Sequence, residues 1–192
     1  METISFEKIA ERAECLKKVD PNDTYHKAYF HFVNYFTGKS TLSEHDLIIG
    51  ASFTYAWMPT IMHFKSDTFE SAVGILNKAK KSERISSEEL LILKSLINNS
   101  LVGVSKLLHF INPEIYAIWD SKVCNCLTGK SYKQKVESID QYWCYLDLCV
   151  RVIKNPQFAK IHDDFVKRIG YQISPMRTVE QILFITSKNP IK

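Results

Sequence analysis

The chain has 192 residues, 45% of them hydrophobic and 24% charged, with a formal net charge of +4 at pH 7. This is enough apolar material for a real core, in one large domain or in two small lobes that share an interface. The mild basicity is compatible with a nucleic-acid partner and does not require one. No run of 18 apolar residues occurs, so no transmembrane helix is expected. The charged N-terminal ten residues lack an apolar signal region, so a cytoplasmic protein is expected.

The first apolar periodicity, Phe6, Ile9, Ala10, Ala13 and Leu16, predicts an amphipathic helix over 5–19, stopped by Asp20-Pro21-Asn22-Asp23. The segment 23–36 is dense in aromatics, and Tyr25, Tyr29, Phe32, Val33 and Phe36 share a helical face, which reads as core. Ser43 with Asp46 three residues on has the form of a capping box. It opens a helix to about Trp57, closed by Pro59, whose apolar second half predicts a central, buried helix. Ser66 or Asp67 caps a helix to about Lys80, where Lys78, Lys80 and Lys81 suit the negative helix end. Ser86 or Ser87, followed by Glu88 and Glu89, starts a helix to Asn98. Asn98-Asn99-Ser100 reads as a tight turn, since Asn tolerates left-handed backbone.

Beyond the stretch 100–127, Thr128-Gly129-Lys130-Ser131 is a basic loop. From Lys122 through Lys135 there are four lysines, at 122, 130, 133 and 135, and no acid. A helix is predicted over 138–154 with Ile139, Tyr142, Trp143, Leu146 and Val150 inward. Another runs from Pro156 to Ile169 and ends at Gly170. Ser174-Pro175 is an N-cap followed by an N1 proline, opening the last helix. No segment alternates long enough to demand a strand, and no repeat or low-complexity segment occurs. The expectation is an all-α, compact multi-helix domain of about nine or ten helices. It is either a single domain over 1–192 or two helical lobes with a site at their interface.

The five cysteines, at 15, 124, 126, 144 and 149, are odd in number and fit reduced, mostly buried thiols. Neither Cys124-x-Cys126 nor the pair 144 and 149 has a zinc spacing, and no iron–sulfur run of the C-x6-C-x2-C-x5-C kind is present. No metal and no cofactor are expected.

Chemistry concentrates in 100–127. The turn at 98–100 would aim the first N–H groups of the following helix outward, towards an anion such as a phosphate. Lys106 lies a turn or two inside that helix. Burial there and the positive helix end disfavour an ammonium and free the amine as a nucleophile of the kind that forms Schiff bases. The plain alternative is a surface lysine. Asp120 precedes Ser121-Lys122-Val123 as an N-cap; one oxygen can cap while the other faces a pocket.

Taken together, Gly103-Val104-Ser105-Lys106 and Ala117-Ile118-Trp119-Asp120-Ser121-Lys122-Val123 resemble the helix-hairpin-helix superfamily of DNA glycosylases. They are nearest to small proteins similar to 8-oxoguanine glycosylase, with an S-K-x-L-H-F…P…I-x-D-x-x-V signature. The hairpin, Ser100-Leu101-Val102-Gly103-Val104, has one glycine where the family has L-P-G-x-G, and fourteen residues separate Lys106 from Asp120. The resemblance implies a degenerate helix-hairpin-helix element. It also implies removal of a damaged or modified base from double-stranded DNA; oxidised guanine follows from the resemblance, a modified cytosine is equally open to the sequence, and a monomer is expected. Lys106 would attack C1′, with AP-lyase chemistry through an imine, and Asp120 would stabilise the positive charge on the sugar. Trp119, Trp57, Tyr55 and His109 are candidates for base contacts, although core packing is the plainer role for His109 and Trp57. Lys122, Lys130, Lys133 and Lys135 are candidates for the DNA backbone, or else a solvated basic face. The competing expectation is a non-catalytic all-α module that binds nucleic acid or protein.

Overall fold

The structure is a computed structural model that describes residues 4–20, 22–58 and 60–191. The boundaries expected at Pro21 and Pro59 lie outside the described residues. Those residues are all-helical, with eleven α-helices, one 3-10 helix and no strand. An isolated antiparallel bridge joins Phe64 and Ile97. No helix is long and apolar enough to cross a membrane, among the described residues.

The helices are α1 (Phe6–Ala10), a 3-10 helix (Glu11–Lys18), α2 (Thr24–Thr37), α3 (Glu44–Trp57), α4 (Phe69–Lys80) and α5 (Ser87–Leu96). Then follow α6 (Leu101–Ile111), α7 (Ser121–Thr128), α8 (Lys133–Val136), α9 (Ile139–Ile153), α10 (Phe158–Ile169) and α11 (Pro175–Ile185). The chain divides into two compact units, one of Met1–Asp23 with Ala117–Lys192 and one of Thr24–Tyr116.

In the Thr24–Tyr116 unit, α2, α3, α4 and α5 all pack on α6. Ten of the eleven α6 residues are buried, so α6, and not α3, is the central helix. The sequence from Ala51 to Met58 is apolar, yet Ser52 and Ala56 face outward. Two glycines bring α3 and α6 together. A Cβ on Gly50 of α3 would lie 2.9 Å from Leu107 of α6 and 2.5 Å from Phe36 of α2. A Cβ on Gly103 of α6 would lie 2.3 Å from the Tyr55 hydroxyl of α3. Each helix thus receives a side chain of the other where it has none of its own, and both close on each other.

The Asn98–Asn99 turn is built as expected. Both residues have positive φ, 54° and 52°, and the Ser100 hydroxyl accepts the Gly103 N–H at the start of α6. Asn98 also clamps the preceding loop. Its Oδ1 accepts from His63 N at 2.6 Å and its Nδ2 donates to Ile61 O at 2.8 Å. Aromatic side chains pack α2, α3 and α6 together: Phe32 stacks on Phe53 at 4.5 Å, and both meet Phe110 edge-on.

At the start of α3 the capping box is complete. Asp46 accepts from Ser43 N and Oγ and from the Tyr35 hydroxyl, and pairs with Lys39 at 2.9 Å. Burial opposes its charge, but the Lys39 ammonium and these hydrogen bonds outweigh it and hold the carboxyl well below the usual range. The helix expected after Ser66 or Asp67 starts later, with Thr68 as N-cap.

In the other unit α11 is the central helix, buried from Met176 to Leu183, and it packs on α7, α9, α10 and the 3-10 helix. The single N-terminal helix expected over 5–19 is instead α1 followed by the 3-10 helix. Ala13, Leu16 and Val19 recur every third residue, and a 3-10 helix stacks such positions in one row; Leu16 and Val19 are buried. The inward face of α9 is Tyr142, Tyr145, Leu146 and Cys149, whereas Val150, expected inside, is 38% exposed.

Gly103→Ala is expected to lower unfolding free energy by about 1–3 kcal/mol, because the new methyl overpacks against Tyr55. Gly74→Ala, on an open face of α4 with nothing within 4 Å, should be neutral or stabilising by up to about 1 kcal/mol. Urea denaturation midpoints of the two variants check the contrast.

Since the native Asp46 carboxyl is depressed, its stabilisation is present above the unfolded-state value of about 3.9 and is lost as pH falls through the native value. Asp46→Asn should therefore lower stability at neutral pH and make the acid-induced loss shallower, as read from thermal melts across acidic pH.

Candidate functional site

Lys106 is the sixth residue of α6, between Ser105 and Leu107, and only 9% of its surface is exposed. Buried lysines are rare in folded proteins unless paired, so the plain reading as a surface lysine does not apply. It stands two turns inside a helix whose N-cap is Ser100. Gly103, expected in the hairpin itself, is inside α6. The left-handed residues of the turn are Asn98 and Asn99, and the glycine serves the contact with Tyr55.

Asp120 belongs to the other unit, with extended backbone at φ −148° and ψ −178°, and it is the N-cap of α7. Its Oδ1 accepts the Val123 N–H at 2.9 Å. Its Oδ2 takes no hydrogen bond from the described residues, and the side chain is partly exposed. The residues before it are anchored deeply. Ala117, Ile118 and Trp119 are at most 1% exposed. The Tyr142 hydroxyl donates to Ala117 O at 3.3 Å, and Trp119 Nε1 donates to Val136 O at 2.7 Å.

The four candidates for base contacts divide by burial. Trp119 is wholly buried against Tyr145 at 5.3 Å. Tyr55 is 2% exposed, at the glycine contact. His109 is wholly buried; its Nδ1 lies 2.6 Å from Tyr116 O and its Nε2 2.9 Å from the Tyr29 hydroxyl. A carbonyl only accepts, so Nδ1 carries a proton, and Nε2 shares a hydrogen bond with the Tyr29 hydroxyl. Trp57 is partly exposed, near Tyr25 at 5.7 Å.

Lys122, Lys130 and Lys133 are exposed and Lys135 is partly exposed, all in the unit of Asp120. The Lys122 ammonium sits 4.1 Å over the Phe184 ring. The basic loop expected at 128–131 is followed by the short helix α8, which carries Lys133 and Lys135.

A buried polar group on α11 has no counterpart among the residues expected from the sequence. Arg177 and Glu180, 5% and 2% exposed, form an ion pair, and Gln181 Nε2 also donates to Glu180 at 2.9 Å. Burial, reinforced by the charge of Glu180, pushes the Tyr145 hydroxyl and the Cys149 thiol up. The available signal was Arg and Glu three apart on a helix with apolar residues on every side. Burial likewise raises the Cys15 thiol to about 11. No group of three or more His, Cys, Asp or Glu among the described residues could hold a metal ion.

Asp120→Ala is expected to cost about 1 kcal/mol through the lost cap, and Asp120→Asn much less, because the amide oxygen can accept the same N–H. Thermal melts of the two variants separate the capping role from any role of the charge.

No family model, curated protein or solved structure matches the chain.

Proposed function

We propose that this chain is a DNA glycosylase that removes a damaged or modified base from double-stranded DNA, with Lys106 as nucleophile and Asp120 as the charge partner. The observation that supports it best is the burial of Lys106 two turns into α6. A site closed to water is the setting in which lysine amines act as nucleophiles. Asp120 supports the reading separately, because capping occupies one carboxylate oxygen and leaves the other for a ligand.

In this mechanism the target nucleotide leaves the duplex. Asp120 stabilises the positive charge that grows on the deoxyribose as the glycosidic bond breaks. The Lys106 amine forms a bond to C1′, and the base departs with the electrons of the old bond. Proton loss from nitrogen and opening of the sugar ring yield an imine, from which β-elimination cuts the strand. If water takes the place of Lys106, the same Asp120 supports a glycosylase without lyase activity. The exposed lysines 122, 130 and 133, with Lys135, suit phosphate contacts.

A second reading, a non-catalytic all-α module, is favoured by one observation. Trp119, Tyr55 and His109 are all spent on core packing and hydrogen bonds, which leaves fewer groups to hold a base.

The test is a panel of duplexes bearing oxidised guanine, methylated and hydroxymethylated cytosine, uracil and alkylated purines. Base release and borohydride-trapped adducts are both measured. The glycosylase reading predicts release from at least one duplex, lowered by about 10²-fold or more in Asp120→Asn. The lyase reading adds a trapped adduct that Lys106→Gln abolishes while its melting curve stays cooperative. Absence of both product and adduct across the panel would refute the enzyme and leave the binding module.

A further inference from the structure

The lysine-bearing segment Lys130–Val136 is tied at both ends to the supports of Asp120. At its start, Lys130 O accepts from Thr128 Oγ1 at 2.7 Å and from Cys124 Sγ at 3.4 Å, and both donors are on α7, the helix that Asp120 caps. At its end, Val136 O accepts from Trp119 Nε1 at 2.7 Å, and Trp119 is the residue before Asp120 in the chain. The second tie follows from helix construction. A four-residue helix such as α8 leaves its last carbonyls without partners inside the helix, and the indole N–H takes one of them in a fully buried setting. Trp119 is held in turn by the Tyr145 ring. Asp120 is then fixed from three sides: by Trp119, by the Val123 N–H, and by the Cys124 N–H on its own carbonyl at 2.9 Å. Lys133 and Lys135 ride on the same segment, with Lys133 exposed and Lys135 partly exposed.

We infer that Trp119 is a positioning residue that registers the Lys130–Lys135 segment, as a grip on the DNA phosphates, to the carboxylate of Asp120. It therefore does not contact the flipped base. This rests on the base-excision reading and adds to it a division of labour: phosphate binding on α8 sets the placement of Asp120 through the Trp119–Val136 hydrogen bond. A small misplacement of a reacting group lowers turnover far more than binding, so the signature is a change in kcat.

The test uses the full chain, the lesion duplex that the wild-type protein processes, and a duplex with a tetrahydrofuran abasic-site analogue as binding probe. Trp119→Phe keeps an aromatic ring against Tyr145 and removes the N–H donor. It should lower kcat at least about fivefold with the dissociation constant for the probe within about twofold of wild type. Hydrogen exchange offers a readout apart from activity. The probe duplex should increase protection of the Val123 amide in the wild type and fail to do so in Trp119→Phe, with α9 and α11 amides equally protected in both. The double variant Lys133→Ala/Lys135→Ala alters only side chains that are exposed or partly exposed. It should reduce the salt dependence of binding and also lower kcat at saturating DNA.

A Trp119→Phe enzyme with wild-type kcat, or a double lysine variant in which only KM rises, overturns the inference and leaves the base-excision reading standing. If Trp119→Phe does not fold, the lysine variant decides alone. A wild-type protein that processes no duplex removes both.

Discussion

The α3–α6 crossing is the constraint on which the arrangement of the Thr24–Tyr116 unit depends. Gly50 admits Leu107, and Gly103 admits the Tyr55 ring, so each helix fills a gap in the other. Close-packed interiors resist the addition of even one methyl group at such a point. With α6 held at that distance, its remaining faces are covered by α2, α4 and α5, and nearly all of its residues are buried. Lys106 is therefore kept from water by the position of its helix. The glycine that looks like part of a hairpin in sequence is here the means of holding the lysine's helix in place.

A different device holds Asp120. No regular structure spans Tyr116 to Asp120, and side-chain hydrogen bonds do the work of a ladder. Tyr142 reaches Ala117 O, and Trp119 reaches Val136 O. A carboxylate on such a support can cap α7 and still offer its second oxygen. In the same unit α11 carries Arg177 and Glu180 in the interior. A pair of this kind is expensive to break, because loss of one partner leaves the other charge buried and uncompensated.

Local features were the most legible in the sequence. Ser43, Ser86, Asp120 and Ser174 cap the helices assigned to them, because a cap depends only on the three residues that follow it. The left-handed pair Asn98–Asn99 was legible for the same reason. What escaped depends on partners distant in the chain. The rotation of α9, which turns Val150 outward, is set by the helices it packs on. The choice of α6 over α3 as the central helix of its unit is set by the helices α2, α4 and α5 that pack on it. The four-residue α8 carries too little periodicity to be read. At the candidate site, the residue types of Lys106 and Asp120 were legible and the sequence left burial or exposure of the lysine open, but the hydrogen bond from Trp119 to Val136 O was not legible, since it belongs to packing.

The claim most exposed to test is that Lys106 is the nucleophile. The direct measurement is peptide mapping by tandem mass spectrometry of the protein after reaction with a processed duplex, borohydride reduction and nuclease digestion. The account predicts one modified peptide, with the sugar remnant on the Lys106 amine. A remnant on any other lysine, or on the N-terminal amine, would contradict it.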